Sequence, residues 1–382
     1  MRALNGMRFD RNEFAGSFGD LGTDLPLIVG IILATGLDAG GVFTVFGLLQ
    51  IITGLVYRLP MPMQPLKAMA VLVITQKIGG DVLLGAGVAI GATMLILTLS
   101  GALQLFVRRV PRCVVRGVQF GLGLSLASLA IRTYIPSAGG PGYALAGAAM
   151  LVMFALWGNR RVPPGLVVIA IGAAYALGTG LQIGAISAGF GFALPTFHLP
   201  EIPDILTGFV ILALPQLPLS ISNSVIATEQ TSRDLFPTRA VSARRIGFTY
   251  SAANLLAPFF GGIPVCHGCG GMAGHYTFGA RTGGSVVLYG GYFLVLGLFL
   301  AGPLHEVLKV FPQPILGVVL LFEALTLLSF MRDQAGNPRD LAIALLVGVI
   351  AFAAPQGYVI GLLVGVLVYY GFRRFGDPAN DS

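Results

Sequence analysis

The chain has 382 residues, 55% of them hydrophobic and only 10% charged, with a formal net charge of +7 and a mean hydropathy of +0.84. Soluble domains carry about 25% charged residues, so these values exclude a soluble enzyme, a disordered tail and a coiled coil. The 54 glycines and 23 prolines follow no collagen repeat, and both residues are tolerated inside membrane helices, where neighbouring groups satisfy the freed backbone; the composition is that of a polytopic membrane protein.

The opening MRALNGMRFDRNEF is basic and polar and has no small-residue cleavage site, so no cleavable signal peptide is expected. A membrane helix needs roughly 20 apolar residues. Fourteen such runs lie near 14–36, 39–57, 63–78, 82–107, 113–131, 141–157, 163–180, 204–229, 241–260, 267–279, 283–303, 312–330, 339–354 and 356–372. The stretch 184–203, with Pro195, Pro200 and Pro203, reads as an outer linker between two halves, 1–183 and 204–382.

Cytoplasmic loops carry an excess of Lys and Arg, which tests the count. With both termini in the cytoplasm, 19 of the 23 Lys and Arg fall on the inner side, including the groups Arg108–Arg116 and Arg233–Arg245. Lys77, Arg132 and Lys309 fall outside, and Lys67 lies within a span. One helix more or fewer would spoil this division. The expected location is the cytoplasmic (inner) membrane. The basic clusters then act as orientation signals and lipid head-group contacts; no Lys/Arg run is long enough to suggest nucleic acid.

Fourteen spans divide into two sets of seven, and an odd number per half makes the halves inverted repeats, an architecture that holds substrate at the midplane between interrupted helices. Ordered echoes support this: TDLPLIVG with PQLPLSIS, LPMPMQPLKAMA with GIPVCHGCGGMAG, and VQFGLGLSL with PQPILGVVLL, at offsets of 192, 202 and 196 residues. The expected fold is therefore all-α, with fourteen transmembrane segments in a seven-plus-seven inverted repeat.

Spans three and ten carry the chemistry. Pro60, Pro62 and Pro65 forbid a helix until about Gln64, because proline lacks a donor and clashes with the preceding turn. Gly261–Gly271, containing Pro264, reads the same way, with a helix from about His267. Each is a short extended segment followed by a half-helix. Two half-helix N-termini meeting at the midplane would offer unsatisfied N–H groups and partial positive charge to an anion. Lys67 is the one cation within a span, and no carboxylate lies between Gly262 and Gly279. A buried ammonium is costly unless it faces a cavity or a partner, so Lys67 either serves an anion or pairs structurally with a carboxylate.

These segments also carry a resemblance. GDLGTDLPLI (19–28), PMPMQPLKAMA (60–70), LPQLPLSISNSVIATE (214–229) and GGIPVCHGCGGMAGHYTFGARTGG (261–284) resemble the molybdate transporter family, a relative of the SulP sulfate permeases. The resemblance implies a core domain of spans 1–4 and 8–11, a gate domain of spans 5–7 and 12–14, and an elevator-like movement between them. The chain stops about ten residues past the last span, so the STAS domain usual in sulfate permeases is not expected.

Carried onto this chain, the family places substrate between Gln64–Lys67 and His267–Gly271, flanked by Asp20, Thr23 and Asp24 of the first span and Gln216, Ser222, Asn223 and Glu229 of the eighth. The donor shell would be Gln64, Lys67, Ser222 and Asn223 with backbone N–H groups, His267 reads equally as a further donor or a packing residue, Cys269 lies in the same stretch, and Gly268, Gly270 and Gly271 would let the backbone approach the ion. The expected substrate is molybdate or a similar oxyanion such as tungstate or sulfate. A dianion entering against a negative-inside potential needs a coupling ion, a proton or sodium. Glu229 is favoured as the coupling residue, with Asp20 and Asp24 as alternatives, while Glu323 reads equally as structural.

Other readings stay open. A SulP-type sulfate transporter is the nearest, and a homodimer is an open assembly state. A nucleobase:cation symporter would want a carboxylate in span ten. An intramembrane redox or metal site would use Cys266, Cys269 and His275; Cys-x-x-Cys has that role in many soluble proteins, but this one has no second pair. No cofactor and no metal are expected.

Overall fold

The computed structural model describes residues 6–157, 159, 164–179, 191–302, 307 and 310–375. Arg2, Arg160, Arg161 and Lys309 of the charge division, and residues 184–190 of the expected linker, lie outside them. Residues 191–201 run without regular structure, bonded through the Ala193 N–H to the Leu298 carbonyl at 2.9 Å.

The helices are α1 (Arg11–Gly16), α2 (Leu21–Thr35), α3 (Ala39–Tyr57), α4 (Lys67–Gln76), α5 (Gly80–Leu99), α6 (Ala102–Arg109), α7 (Arg112–Leu129), α8 (Gly139–Ala155) and α9 (Pro164–Thr179). The second half has α10 (Ile202–Leu235), α11 (Ala243–Leu256), α12 (Cys269–Thr277), α13 (Gly284–Phe299), α14 (Gln313–Ser329), α15 (Pro338–Ala353) and α16 (Gly357–Phe375). Among the described residues, five apolar helical stretches reach 18 residues or more, enough to cross a bilayer. Leu151, Ile96 and Leu367 each expose well over half of their surface, as side chains in contact with lipid do. The chain is an integral membrane protein.

Lipid tails are as apolar as leucine, so close backbone contact, rather than the hydrophobic effect, brings membrane helices together. The α3–α13 contact shows this. Gly40, Gly47 and Gly54 recur every seven residues along α3, and Gly283, Gly290 and Gly297 do so at and along α13. They meet antiparallel: a Cβ on Gly290 would stand 2.5 Å from the Gly47 carbonyl oxygen, and one on Gly54 would stand 2.8 Å from that of Gly283. Elsewhere α5 packs along α11, α7 along α14 and α15, and α15 against α16. Buried Glu13 of α1 ties the chain start to the turn before α13, accepting from the N–H groups of Arg281, Thr282 and Ser285 at 2.8–3.0 Å.

The Pro-rich and Gly-rich segments form short strands, β1 (Met63–Pro65) and β2 (Val265–His267), paired antiparallel with Met63 opposite His267 and Pro65 opposite Val265. The helices after them start at Lys67 and Cys269, two or three residues later than the proline and glycine spacing suggests, because the pairing holds Pro65 and His267 extended.

An amide side chain clamps each strand. Gln50 of α3 donates to the Met63 carbonyl (2.6 Å) and accepts from the Met63 N–H (2.9 Å). Asn254 of α11 does the same for Val265, at 2.7 and 2.9 Å. Neither amide was singled out from the sequence.

The glycine contact yields a paired prediction. Gly290→Ala drives a methyl into the Gly47 carbonyl and is expected to cost about 2 kcal/mol or more. At Gly291 an added Cβ meets nothing within 4 Å, so Gly291→Ala is expected to leave stability unchanged or slightly raised. Thermal melts in detergent with a fluorescence readout compare the two; equal melting temperatures would contradict the close-packing account.

Candidate functional site

The strand pair and the first turns of α4 and α12 meet in the protein interior. Gln64, central in β1, donates through Nε2 to Asp20 Oδ1 at 2.6 Å, and its Oε1 has no hydrogen-bond partner. A side chain at Gly268 would overlap that same Oε1, and one at Gly271 would overlap the Asp20 carboxylate. The glycines of the 261–284 motif are therefore needed at these two positions for close approach.

The helix starts differ in what they offer. At α4, Gln216 Oε1 accepts from the N–H groups of Ala68 (3.0 Å) and Met69 (3.2 Å), which satisfies part of the first turn. At α12, among the described residues, no side chain accepts from the first-turn N–H groups. Gly270 is exposed in an otherwise buried stretch, and an added Cβ there meets only open space. The free N-terminus is that of α12.

Lys67, 4% exposed, sits on the first turn of α4. Its Nζ forms an ion pair with Glu323 Oε1 of α14, and Glu323 Oε2 accepts from Thr23 Oγ1 at 3.1 Å. Of the two readings of Lys67, this structure displays the carboxylate pair. Thr23 and Glu323 also line a cavity of about 280 Å³ together with Gly19, Gly22, Trp157 and Thr326.

Helix α10 contributes through widened turns. Around Pro215 and Pro218 it becomes π-helical at Phe209–Ala213 and again at Ser220–Ala227, since proline removes the donor that an α-turn needs. π-bulges are frequent at functional sites. Within the second of these turns, Asn223 Oδ1 accepts from Gln119 Nε2 (2.9 Å) and from Cys269 Sγ (3.4 Å). The Ser222 hydroxyl is buried and has no partner. Asp24 accepts from the Tyr289 hydroxyl at 2.9 Å, and its Oδ1 is unpartnered.

The structure thus gathers Asp20, Gln64, Gly268 and Gly271, links Thr23 to Lys67 through Glu323, and ties Gln216 to α4 and Asn223 to Cys269. Two expected members stand elsewhere. His267 bonds Thr249 Oγ1 through Nε2 at 2.7 Å and packs edge-on against Tyr57. Side chains alternate along a strand, so His267 points to the opposite face from Cys266 and from Gln64, which is paired with Cys266. Of the two readings of His267, donor or packing residue, this structure displays the packing contact.

Glu229 lies two residues beyond the π-helical segment, bonded to Arg233 at 2.7 Å and lining a separate cavity with Arg108 and Arg244. The carboxylate that meets Lys67 is Glu323, and Glu229 is paired with Arg233 instead. Cys266 is a strand residue, Cys269 opens α12, and His275 bonds Ser285 at 3.1 Å. Among the described residues no group of three His, Cys, Asp or Glu is arranged to hold a metal.

With this geometry in hand, the chain can be compared with known proteins. A family described as molybdate transporter of MFS superfamily matches residues 12–126 and 208–327. Molybdate transporter 1 of Arabidopsis thaliana is 33% identical over 418 residues, covering 97% of this chain and 90% of the relative. Molybdate transporter 1 of Chlamydomonas reinhardtii is 29% identical, covering 93% and 90%. Among solved structures, the transmembrane domain of the cyanobacterial bicarbonate transporter BicA superposes with a TM-score of 0.63 at 16% identity, over 94% of this chain and 96% of that one. The murine anion transporter Slc26a9 in its inward-facing state superposes with a TM-score of 0.70 at 14% identity, over 95% and 68%. These two likenesses give the fold, and the sequence matches give the family: the chain belongs to the molybdate transporter family.

Proposed function

We propose that the protein is a secondary active transporter that imports molybdate, or a similar tetrahedral oxyanion, across the cytoplasmic membrane. The observation that carries this reading is the uncapped, glycine-lined start of α12, open at Gly270, in the same buried junction as Lys67. A helix N-terminus with free N–H groups suits an anion, and molybdate transporters are this chain's relatives. The substrate shell comprises the first-turn N–H groups of α12 with Gln64, Lys67, Ser222, Asn223 and Thr23. Gln216 acts at one remove by capping α4.

In this reading the fourteen spans form two inverted repeats, 1–183 and 204–382, joined by 184–203, with both termini in the cytoplasm. The matched amide clamps of Gln50 and Asn254, and the two strands paired antiparallel, support that relation. The core of spans 1–4 and 8–11 moves against the gate of spans 5–7 and 12–14 in an elevator-like cycle. The cavity at Thr23 and Glu323 also touches Phe18 and Phe278, close to the turn carrying Arg281, which supports an opening toward the cytoplasm.

Coupling to a proton or sodium is supported by three buried acceptor oxygens without partners: Asp20 Oδ2, Asp24 Oδ1 and Gln64 Oε1. Such oxygens suit a proton or a hard cation. Asp20 and Asp24 are the coupling candidates that remain once Glu229 is paired with Arg233 rather than with Lys67.

Lys67→Ala is expected to weaken molybdate binding by at least tenfold, about 1.4 kcal/mol, and Lys67→Arg to restore it in part. Calorimetry on purified protein with molybdate, tungstate, sulfate and uracil provides the check. Preference for sulfate would favour the SulP-type reading, binding of uracil the nucleobase one, and silence toward all oxyanions would end the proposal. Gly270→Ala fits the fold but sets a methyl in the anion space, so the protein is expected to melt as wild type while binding about tenfold more weakly. Glu229→Gln is expected to leave binding within twofold, because its partner is the exposed Arg233; a larger loss in the same titration would return Glu229 to the site.

A further inference from the structure

Lys67 and Glu323 are 256 residues apart, on α4 and α14, and they meet as an ion pair inside the protein. Such a pair is weak evidence for a stabilising role, since the cost of removing both charges from water offsets most of their attraction. Three features of the arrangement point to a different role.

The first is shape. One Glu323 oxygen takes the ammonium of Lys67 and the other takes the hydroxyl of Thr23. The carboxylate thus presents two negative oxygens to two donors, as an edge of a tetrahedral oxyanion would. The second is an asymmetry in exposure. The Lys67 side chain is 5% exposed and that of Glu323 is 16%, and Glu323, not Lys67, lines the cavity of about 280 Å³. Glu323 has room to swing away while Lys67 stays. The third is charge. Asp20, which accepts from Gln64, and Asp24 are buried close by on the first two turns of α2, so a dianion reaching Lys67 with Glu323 still in place would meet carboxylates on several sides. Like charges at short range disfavour one another strongly where water is scarce.

We infer that Glu323 is an internal competitor for the substrate: an arriving oxyanion displaces it from Lys67, and its return expels the ion toward the cavity. This rests on the transporter reading above and adds to it the residue that sets affinity and release. Glu323 then acts on the substrate through Lys67 and is a positioning residue.

The test is molybdate binding and uptake by the Glu323→Gln protein. With the competitor neutral, the Kd is expected to fall about tenfold. Uptake into proteoliposomes should saturate at lower molybdate and run at a lower maximal rate, because release is slowed. A purely structural pair predicts the reverse, since breaking it would loosen the site. Glu323→Asp keeps the charge but is one methylene too short to hold Lys67 and Thr23 together, and it covers the case in which the glutamine variant fails to fold; its Kd is expected to fall about twofold to threefold. Unchanged or weaker binding by a folded variant overturns the inference. If the wild-type protein itself binds no oxyanion, the transporter reading is what has failed.

Discussion

An extended backbone within a membrane has no water to turn to, so each of its N–H and C=O groups must find a partner in the protein. Proline and glycine at 59–65 and 261–264 make two such stretches unavoidable here, and much of the interior can be understood as their accommodation. The strands take each other as partners on one side. On the other, an amide from the preceding helix clamps each one, Gln50 at Met63 and Asn254 at Val265. An amide can donate and accept at once, so a single side chain completes both backbone groups where a hydroxyl or a carboxylate would leave one orphaned. The close α3–α13 contact through glycines in turn brings Gln50 to its strand from a helix that is itself tightly held.

That accommodation is nearly symmetric, and the departure from symmetry is where chemistry enters. The first turn of α4 gives two N–H groups to Gln216. At the 192-residue offset of the first echo, the residue matching Gln216 is Asp24, which accepts instead from Tyr289. The start of α12 therefore keeps its N–H groups, and Gly270 opens beside them. One helix start is closed by the protein and the other is left for something else.

How much of this the sequence disclosed follows from the range of each signal. Proline and glycine act on their own backbone, so the broken segments at 59–65 and 261–271 were legible, and so was the buried cation at Lys67. The parity of a three-residue strand is not legible without its register, so the two readings of His267 stay open in the sequence. Glu229 belongs to the eighth span, which flanks the presumed site, but its carboxylate turns to exposed Arg233. Glu323 stands out locally only as a carboxylate within a span, and what sets it above the other such carboxylates is a partner 256 residues away. The glycines at 40, 47, 54, 283, 290 and 297 were in plain view as two seven-residue series and could have been paired by spacing alone.

In the transporter proposed above, a site for a dianion that is also ringed by carboxylates needs a physical reason. Donors strong enough to strip an oxyanion of its water would, if left unopposed, hold it too long to pass it on. Buried Lys67 and an uncapped helix start are donors of that kind, since charge-assisted hydrogen bonds are roughly twice as strong as neutral ones. Acidic groups at the same place lower the affinity without removing the geometry that selects the ion. Lysine suits that arrangement better than arginine would, because a compact ammonium can exchange one oxygen partner for another, whereas a guanidinium fork favours staying locked on a single carboxylate. In that proposal the identity of residue 67, the carboxylate that meets it and the uncapped helix start beside them are three parts of one compromise between capturing an anion and letting it go.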